Sequence, residues 1–183
     1  GRYFPELEEG LKKTLPGPII LDGEIVIATS KGLDFDALLL RIHPAASRIA
    51  RLAQETPASF VAFDILALGD EDLSQLPQQE RRQRLVALKP AKPWTITPNT
   101  RDLETARDWF QRFEGAGLDG VIAKDPKLPY QPDARAMVKL KHRRTADCVL
   151  GGYRLAKDNK GVGSLLLGLY DKHGVLQHIG HTS

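Results

Sequence analysis

Acidic and basic side chains sit inside the most strand-like runs of this chain, and that conflict limits its possible folds more than any other feature. Ile19 to Ala28 is rich in β-branched residues and almost continuously apolar, yet Asp22-Gly23-Glu24 interrupts it. Phe60 to Leu68 carries one embedded acid, Asp64, and Leu118 to Lys124 carries Asp119 and Lys124. Met137 to Lys141 alternates so that Met137, Lys139 and Lys141 share one face. An unpaired buried charge is costly, so strands hold such residues at their ends, in pairs, or around a ligand. The ligand reading accounts for all four insertions together. Carboxylates from separate strands bind a divalent cation, two adjacent lysines neutralise phosphate oxygens, and Phe60 or Phe63 offers an aromatic face to a base.

Each insertion also has a plainer reading. Asp22-Gly23 and Asp119-Gly120 both have turn chemistry, Phe63 suits an ordinary core position, and Lys139 and Lys141 suit the solvent face of an edge strand. Order and spacing, not any single residue, favour the shared site.

The rest of the chain supplies helices between these strands. Phe4, Leu7, Leu11 and Leu15 recur at helical spacing, which predicts a helix over Pro5 to about Thr14, stopped by Pro16-Gly17-Pro18. Asp34 to Ala53 is helical in period but split by Pro44 into two short helices. Gln78 to Leu88 and Asp102 to Glu114 are further helices, the second ended by Gly115 and Gly117. From Ala146 the pattern changes to consecutive strands, Ala146 to Arg154, Ser164 to Asp171 and Val175 to Gly180. This marks a second, all-β unit of barrel type with a boundary near Thr145.

Charge follows the same seam. Residues 1 to 130 carry 17 basic and 19 acidic side chains, whereas residues 131 to 183 carry 9 and 4, with the densest cluster at Lys139-Leu-Lys-His-Arg-Arg144. Such a run either faces phosphate groups or forms a solvated turn. No apolar stretch approaches the roughly 20 residues that cross a bilayer. The single Cys148 makes no internal disulfide, and no Cys/His cluster has zinc spacing, so a reducing, cytoplasmic setting is expected. The chain opens on Gly-Arg-Tyr-Phe-Pro without Met, and is expected to be the middle of a longer protein.

The ordered set resembles the nucleotidyltransferase motifs of ATP-dependent DNA ligases. Leu21-Asp-Gly-Glu-Ile25 is similar to the family's third motif, and Phe60-Val-Ala-Phe-Asp-Ile-Leu66 to its adenine-stacking strand. Leu118-Asp-Gly-Val-Ile-Ala-Lys124 resembles the fourth motif and Met137-Val-Lys-Leu-Lys141 the fifth. Thr145-Ala-Asp-Cys-Val-Leu-Gly-Gly-Tyr-Arg154 resembles the beginning of the oligonucleotide-binding (OB-fold) barrel. Arg41-Ile-His-Pro-Ala-Ala-Ser47 points to the small bacterial ligases of the end-joining and repair group.

The resemblance implies an α+β fold: an adenylation domain over residues 1–145, with antiparallel sheets and flanking helices, followed over residues 146–183 by the start of an OB-fold barrel. It implies a ligase that uses ATP as AMP donor with Mg²⁺ or Mn²⁺, and seals nicked duplex DNA through enzyme-AMP and DNA-adenylate intermediates. It also implies a monomer, associated with the nucleoid and with end-joining proteins. Glu24 would bind the ribose or help position the metal, and Phe63 would stack on adenine. Asp119 would contribute to the metal site, Lys139 and Lys141 would hold the α-phosphate, and Lys124 would assist phosphate or the adenine edge. Asp22 and Asp64 would support these groups.

Two positions depart from the pattern. The fourth motif carries Glu where this chain has Asp119, whose shorter arm could need a bridging water to reach the metal. No lysine stands in the Lys-x-Asp-Gly context of the family's nucleophile, and the barrel's last motif is missing, so these 183 residues alone are expected to be inactive. RNA ligases, RNA-capping nucleotidyltransferases and a catalytically dead nucleic-acid-binding module are the rival readings.

Overall fold

The computed structural model describes residues 1–30, 32–113, 117–143 and 145–182. Glu114 and Gly115, expected at the close of a helix, and Arg144 of the basic run lie outside the described residues, as does Ser183. The chain divides into two units, Gly1–His142 and Arg143–Ser183.

The first unit opens with α1 (Pro5–Thr14), where Pro5 starts the helix, Glu6 and Glu8 occupy the first turn, and Lys12 and Lys13 the last. Next come β1 (Ile19–Val26) and a small hairpin of β2 (Ala28–Thr29) and β3 (Gly32–Leu33). Pro44 separates α2 (Phe35–Leu40) from α3 (Ala46–Glu55) as the sequence indicates, and the Asp34 carboxylate caps α2 by accepting from the Ala37 amide at 2.8 Å. After these lie β4 (Ser59–Leu68), β5 (Glu71–Asp72), α4 (Gln78–Ala87), β6 (Trp94–Ile96) and α5 (Leu103–Arg112). The unit closes with β7 (Gly120–Lys124) and β8 (Met137–Lys141).

β4 is the central strand. β1 runs antiparallel along one edge, while β6, parallel to the start of β4, and β5, antiparallel to its end, share the other edge. A strand flanked on both edges and packed on its faces has to be nearly continuously apolar, which is the pattern of Phe60 to Leu68. Ala62 and Ile65 of β4 form the core with Leu73, Leu85 of α4 and Trp94 of β6. β7 and β8 pair antiparallel as a separate two-stranded sheet. At the end of β8 the His142 ring stacks on Phe110 with centroids 3.8 Å apart, and its Nε2 lies 2.6 Å from the Phe110 carbonyl oxygen, tying β8 to the last turn of α5. The second unit is a three-stranded antiparallel sheet of β9 (Val149–Leu155), β10 (Val162–Tyr170) and β11 (Leu176–His181), with β10 central.

Asp22-Gly23 lies inside β1, in agreement with the strand reading and against its plainer alternative of a turn. The sequence reading differs from the structure in a few elements. The hairpin of β2 and β3, the short β5 and the edge strand β6 were not anticipated, because runs of two or three residues between prolines and glycines carry no periodicity.

Two buried arginines hold the first unit together. Arg41 is fully buried, its Nη2 donating to the Tyr3 carbonyl and to Glu6 Oε2, both at 2.9 Å, and its Nη1 to the Thr56 carbonyl at 3.2 Å. The guanidinium also lies over the Phe4 ring, 4.9 Å from its centroid. The family-like segment beginning at Arg41 thus ties the chain's start to the turn before β4. Burial opposes ionisation of Glu6, but its hydrogen bonds from Arg41 and the Ala58 amide hold the carboxyl below its ordinary value. The second arginine, Arg81 of α4, meets Asp64 of β4 in a bidentate pair, Nε to Oδ1 at 2.8 Å and Nη2 to Oδ2 at 2.9 Å, with both residues 2% exposed.

Removing one partner of such a buried pair strands the other charge. Arg81→Ala is therefore expected to cost about 3–5 kcal/mol in urea denaturation. Glu6, with a depressed folded value, adds stability that is present above its unfolded value of 4.5 and is lost as pH falls through the folded value. Glu6→Gln should therefore lose less stability than the parent chain over that acid range, measured by denaturant titrations at successive pH values.

Candidate nucleotide-binding site

The polar residues of β1 and β4 share the sheet face opposite the core. Asp22 pairs directly with Asp64 and Glu24 with Val61, whereas Leu21 opposite Ile65 and Gly23 opposite Ala62 face inward. Gly23 is required there because the Phe60 ring crosses it: a Cβ at Gly23 would stand 2.4 Å from Phe60 Cζ and 2.5 Å from the Val61 carbonyl oxygen. The β1–β4 register skips Phe63, so β4 bulges at that residue. A bulge turns a side chain out of the regular alternation, and Phe63 is half-buried outside the core cluster.

Two acids opposite each other on one face repel unless they are matched. Asp64 is matched by Arg81, by the Ile65 amide at 3.0 Å, and by Lys124 Nζ, 3.7 Å from Oδ2. Asp22 Oδ2 accepts from the Tyr130 hydroxyl at 3.0 Å. Burial and the neighbouring Asp22 carboxylate push the Tyr130 hydroxyl above its ordinary value, so it remains a donor. Lys124 Nζ also lies 5.1 Å from the centroid of the Phe63 ring, which links the β7–β8 sheet to β4.

The β7–β8 register then sets the second wall. Lys141 pairs with Gly120, Lys139 with Ile122 and Met137 with Lys124, so by alternation Lys124, Lys139 and Lys141 share one face. Gly120 has φ +152°, and a Cβ there would lie 1.9 Å from the Leu140 carbonyl oxygen, so the pairing that aligns these lysines admits only glycine. Lys141 Nζ stands 3.1 Å from Asp119 Oδ2 on an open surface, and Lys139 has no acidic partner among the described residues.

Phe63, Asp64 and Lys124 are thus brought into contact, as are Asp119 and Lys141. Glu24 is exposed on β1, and its carboxylate makes no hydrogen bond or ion pair among the described residues. No group of three or more potential metal ligands stands together among the described residues. Sequence reasoning missed Arg81 and Tyr130. Arg81 precedes the buried Leu85 by one helical turn and is itself buried, a position where an arginine demands an acid; Tyr130 lies in an irregular segment with no signal of its own.

Two sheets lined by acids, three lysines and a half-buried aromatic define a nucleotidyltransferase-type chain, and residues 1–141 match the model of the ATP dependent DNA ligase domain, so the chain belongs to that family. It is 58% identical to DNA ligase C2 of Mycolicibacterium smegmatis over 98% of its own length and 51% of that protein's. It is 54% identical to DNA ligase C of Mycobacterium tuberculosis over 98% of its length and 52% of that protein's. The chain therefore spans about half the length of these relatives. Among solved structures, a mycobacterial DNA ligase D complexed with ATP and MES aligns with TM-score 0.50 and 33% identity, covering 89% of this chain and 49% of that one.

Gly120→Ala tests the wall that carries the lysines. The substitution is expected to accelerate hydrogen exchange selectively at the amides of β7 and β8 while β1 and β4 keep their protection; unchanged protection of β7 and β8 would show that the Gly120 constraint is not what sets the pairing.

Proposed function

We propose that this chain is the nucleotide-holding part of an ATP-dependent DNA ligase of the bacterial repair and end-joining group. In this reading residues 1–145 belong to the adenylation domain and residues 146–183 begin an OB-fold barrel. The observation that carries the proposal is the shared face of Lys124, Lys139 and Lys141, linked through Lys124 to Phe63. Family membership and the ATP-bound ligase D neighbour support the choice of nucleotide. The exposed apolar residues Leu150, Leu155 and Val162 of the second unit suit an open barrel segment.

In the proposed reaction, adenine stacks on Phe63, Glu24 takes the ribose, and Lys139 and Lys141 hold the α-phosphate. Their ammonium groups stabilise the charge that builds on its oxygens as a lysine nitrogen displaces pyrophosphate in line. The same positive charge favours the unprotonated form of that nucleophile, which belongs to a Lys-x-Asp-Gly element absent from these 183 residues. AMP then passes to a 5′-phosphate at a DNA nick, and attack by the 3′-hydroxyl seals the strand and releases AMP. Magnesium prefers one or two carboxylates together with phosphate oxygens and water, and Asp119 and Glu24 are carboxylates of that kind. Bound there, Mg²⁺ or Mn²⁺ would neutralise phosphate charge.

Calorimetric titration of the 183-residue chain with ATP is expected to show binding that weakens about tenfold in Lys139→Ala and by a similar factor in Phe63→Ala, through loss of a phosphate contact and of base stacking. Incubation with radiolabelled ATP and magnesium should leave no covalent label. Duplex binding without measurable ATP affinity would overturn the nucleotide site.

A further inference from the structure

Beside Lys124, a cleft of about 320 Å³ opens between the first turns of α4 and residues 99–101. Its walls are Arg82 and Arg101 with Gln78, Gln79, Gln83 and Asn99, and no carboxylate lines it among the described residues. Neutral groups hold both guanidinium groups. Arg101 Nη2 donates to Gln79 Oε1 at 3.2 Å, and Arg82 donates to the Thr97 carbonyl and hydroxyl oxygens. Neither arginine has an acidic partner within ion-pair distance among the described residues. Burial pulls the Arg82 guanidinium below its ordinary value, partly offset by the charge of Asp64, yet leaves it a cation. The cleft therefore carries two positive charges, fixed in direction and not neutralised locally, among amide side chains.

We propose that this cleft is a subsite for a phosphodiester of bound nucleic acid, separate from the site of the nucleotide's own phosphates. Arginine with glutamine, asparagine and threonine is the donor set that proteins turn toward a polynucleotide backbone. The register of β7 and β8 decides between the two phosphate sources. Lys124 lies opposite Met137 and against Phe63, the proposed base platform, while Lys139 and Lys141 stand roughly 7 and 14 Å further along β8 at about 3.4 Å per residue. A mononucleotide with its base on Phe63 thus carries its phosphates away from the cleft, and a phosphate in the cleft belongs to another molecule. The choice of nucleic acid rests on the ligase reading above, whereas the anion site itself does not.

Fluorescence anisotropy of a labelled nicked duplex against the 183-residue chain, measured across a salt series, tests the proposal. Arg101→Ala is expected to weaken binding about three- to tenfold and to reduce the slope of log affinity against log salt by about one, with ATP affinity unchanged. Gln83→Lys, which adds a cation to the same wall without removing a contact, should tighten duplex binding and steepen the slope. Unchanged duplex affinity and slope in both variants would overturn the subsite while leaving the ligase reading standing. Loss of ATP affinity in Arg101→Ala would overturn it in favour of a mononucleotide phosphate site. Absence of duplex binding by the parent chain at low salt would overturn it as well, and ATP titration of that chain then tells whether the nucleotide reading fails with it.

Discussion

The bidentate pair between Asp64 and Arg81 is the constraint on which the rest of the first unit depends. A carboxylate in the middle of the central strand is tolerable only because a guanidinium from α4 meets both of its oxygens, and the fork geometry fixes α4 against β4 in one orientation. Arg81 also donates to the Leu76 carbonyl, so the segment leading into α4 is pinned with it. With α4 set, Leu85 completes the core over Ala62 and Ile65, while the residual negative charge on Asp64 draws Lys124 across from the other sheet. A hydrophobic pair of equal volume could match this stability, since desolvating two ions offsets much of their attraction. What it would not supply is the electrostatic pull that fixes the position of Lys124.

The legible and illegible parts of this architecture divide along physical lines. The helices and long strands follow from periodicity, and the split at Pro44 follows from a missing donor. The two glycines of the Asp-Gly motifs are also explained, though not as turn residues: Gly23 leaves room for the Phe60 ring, and Gly120 avoids the Leu140 carbonyl. Asp64 was legible as an anomaly but not as a pair, because its partner lies 17 residues away on a helix and only the spacing of Arg81 one turn before the apolar Leu85 hints at it. Tyr130, 108 residues from Asp22 and in an irregular segment, leaves no trace in local sequence. Glu24 is the reverse case: its motif is conspicuous, yet the described residues give it no partner.

Arg41 shows how a signature residue can have a structural reason. Its guanidinium gathers the Tyr3 carbonyl and the Glu6 carboxylate near the start of the chain and the Thr56 carbonyl before β4, groups that would otherwise be poorly satisfied on burial. Lysine, a point charge with no planar fork, could not meet all three directions at once. The requirement falls on that position whatever the site does, so the Arg41 segment reports the architecture of the first unit more directly than it reports chemistry.

The three lysines of the β7–β8 face differ in how firmly they are held, and the difference follows their positions. Lys124, with its side chain 23% exposed, is held by a buried carboxylate and an aromatic face, so moving it would uncover a charge in the interior. Lys141 is paired with Asp119 at a surface where the two side chains are 59% and 73% exposed, and exposed pairs of this kind are worth about 0–1 kcal/mol. A phosphate oxygen, forming a charge-assisted hydrogen bond worth roughly 1.5–3 kcal/mol, outcompetes such a partner. Lys139 has no acidic partner to give up among the described residues. The fixed cation therefore stands at the Phe63 end and the two movable cations further along β8; in the proposed reaction the first borders the stacked base, and the other two meet the phosphate, whose geometry must change as one bond forms and another breaks.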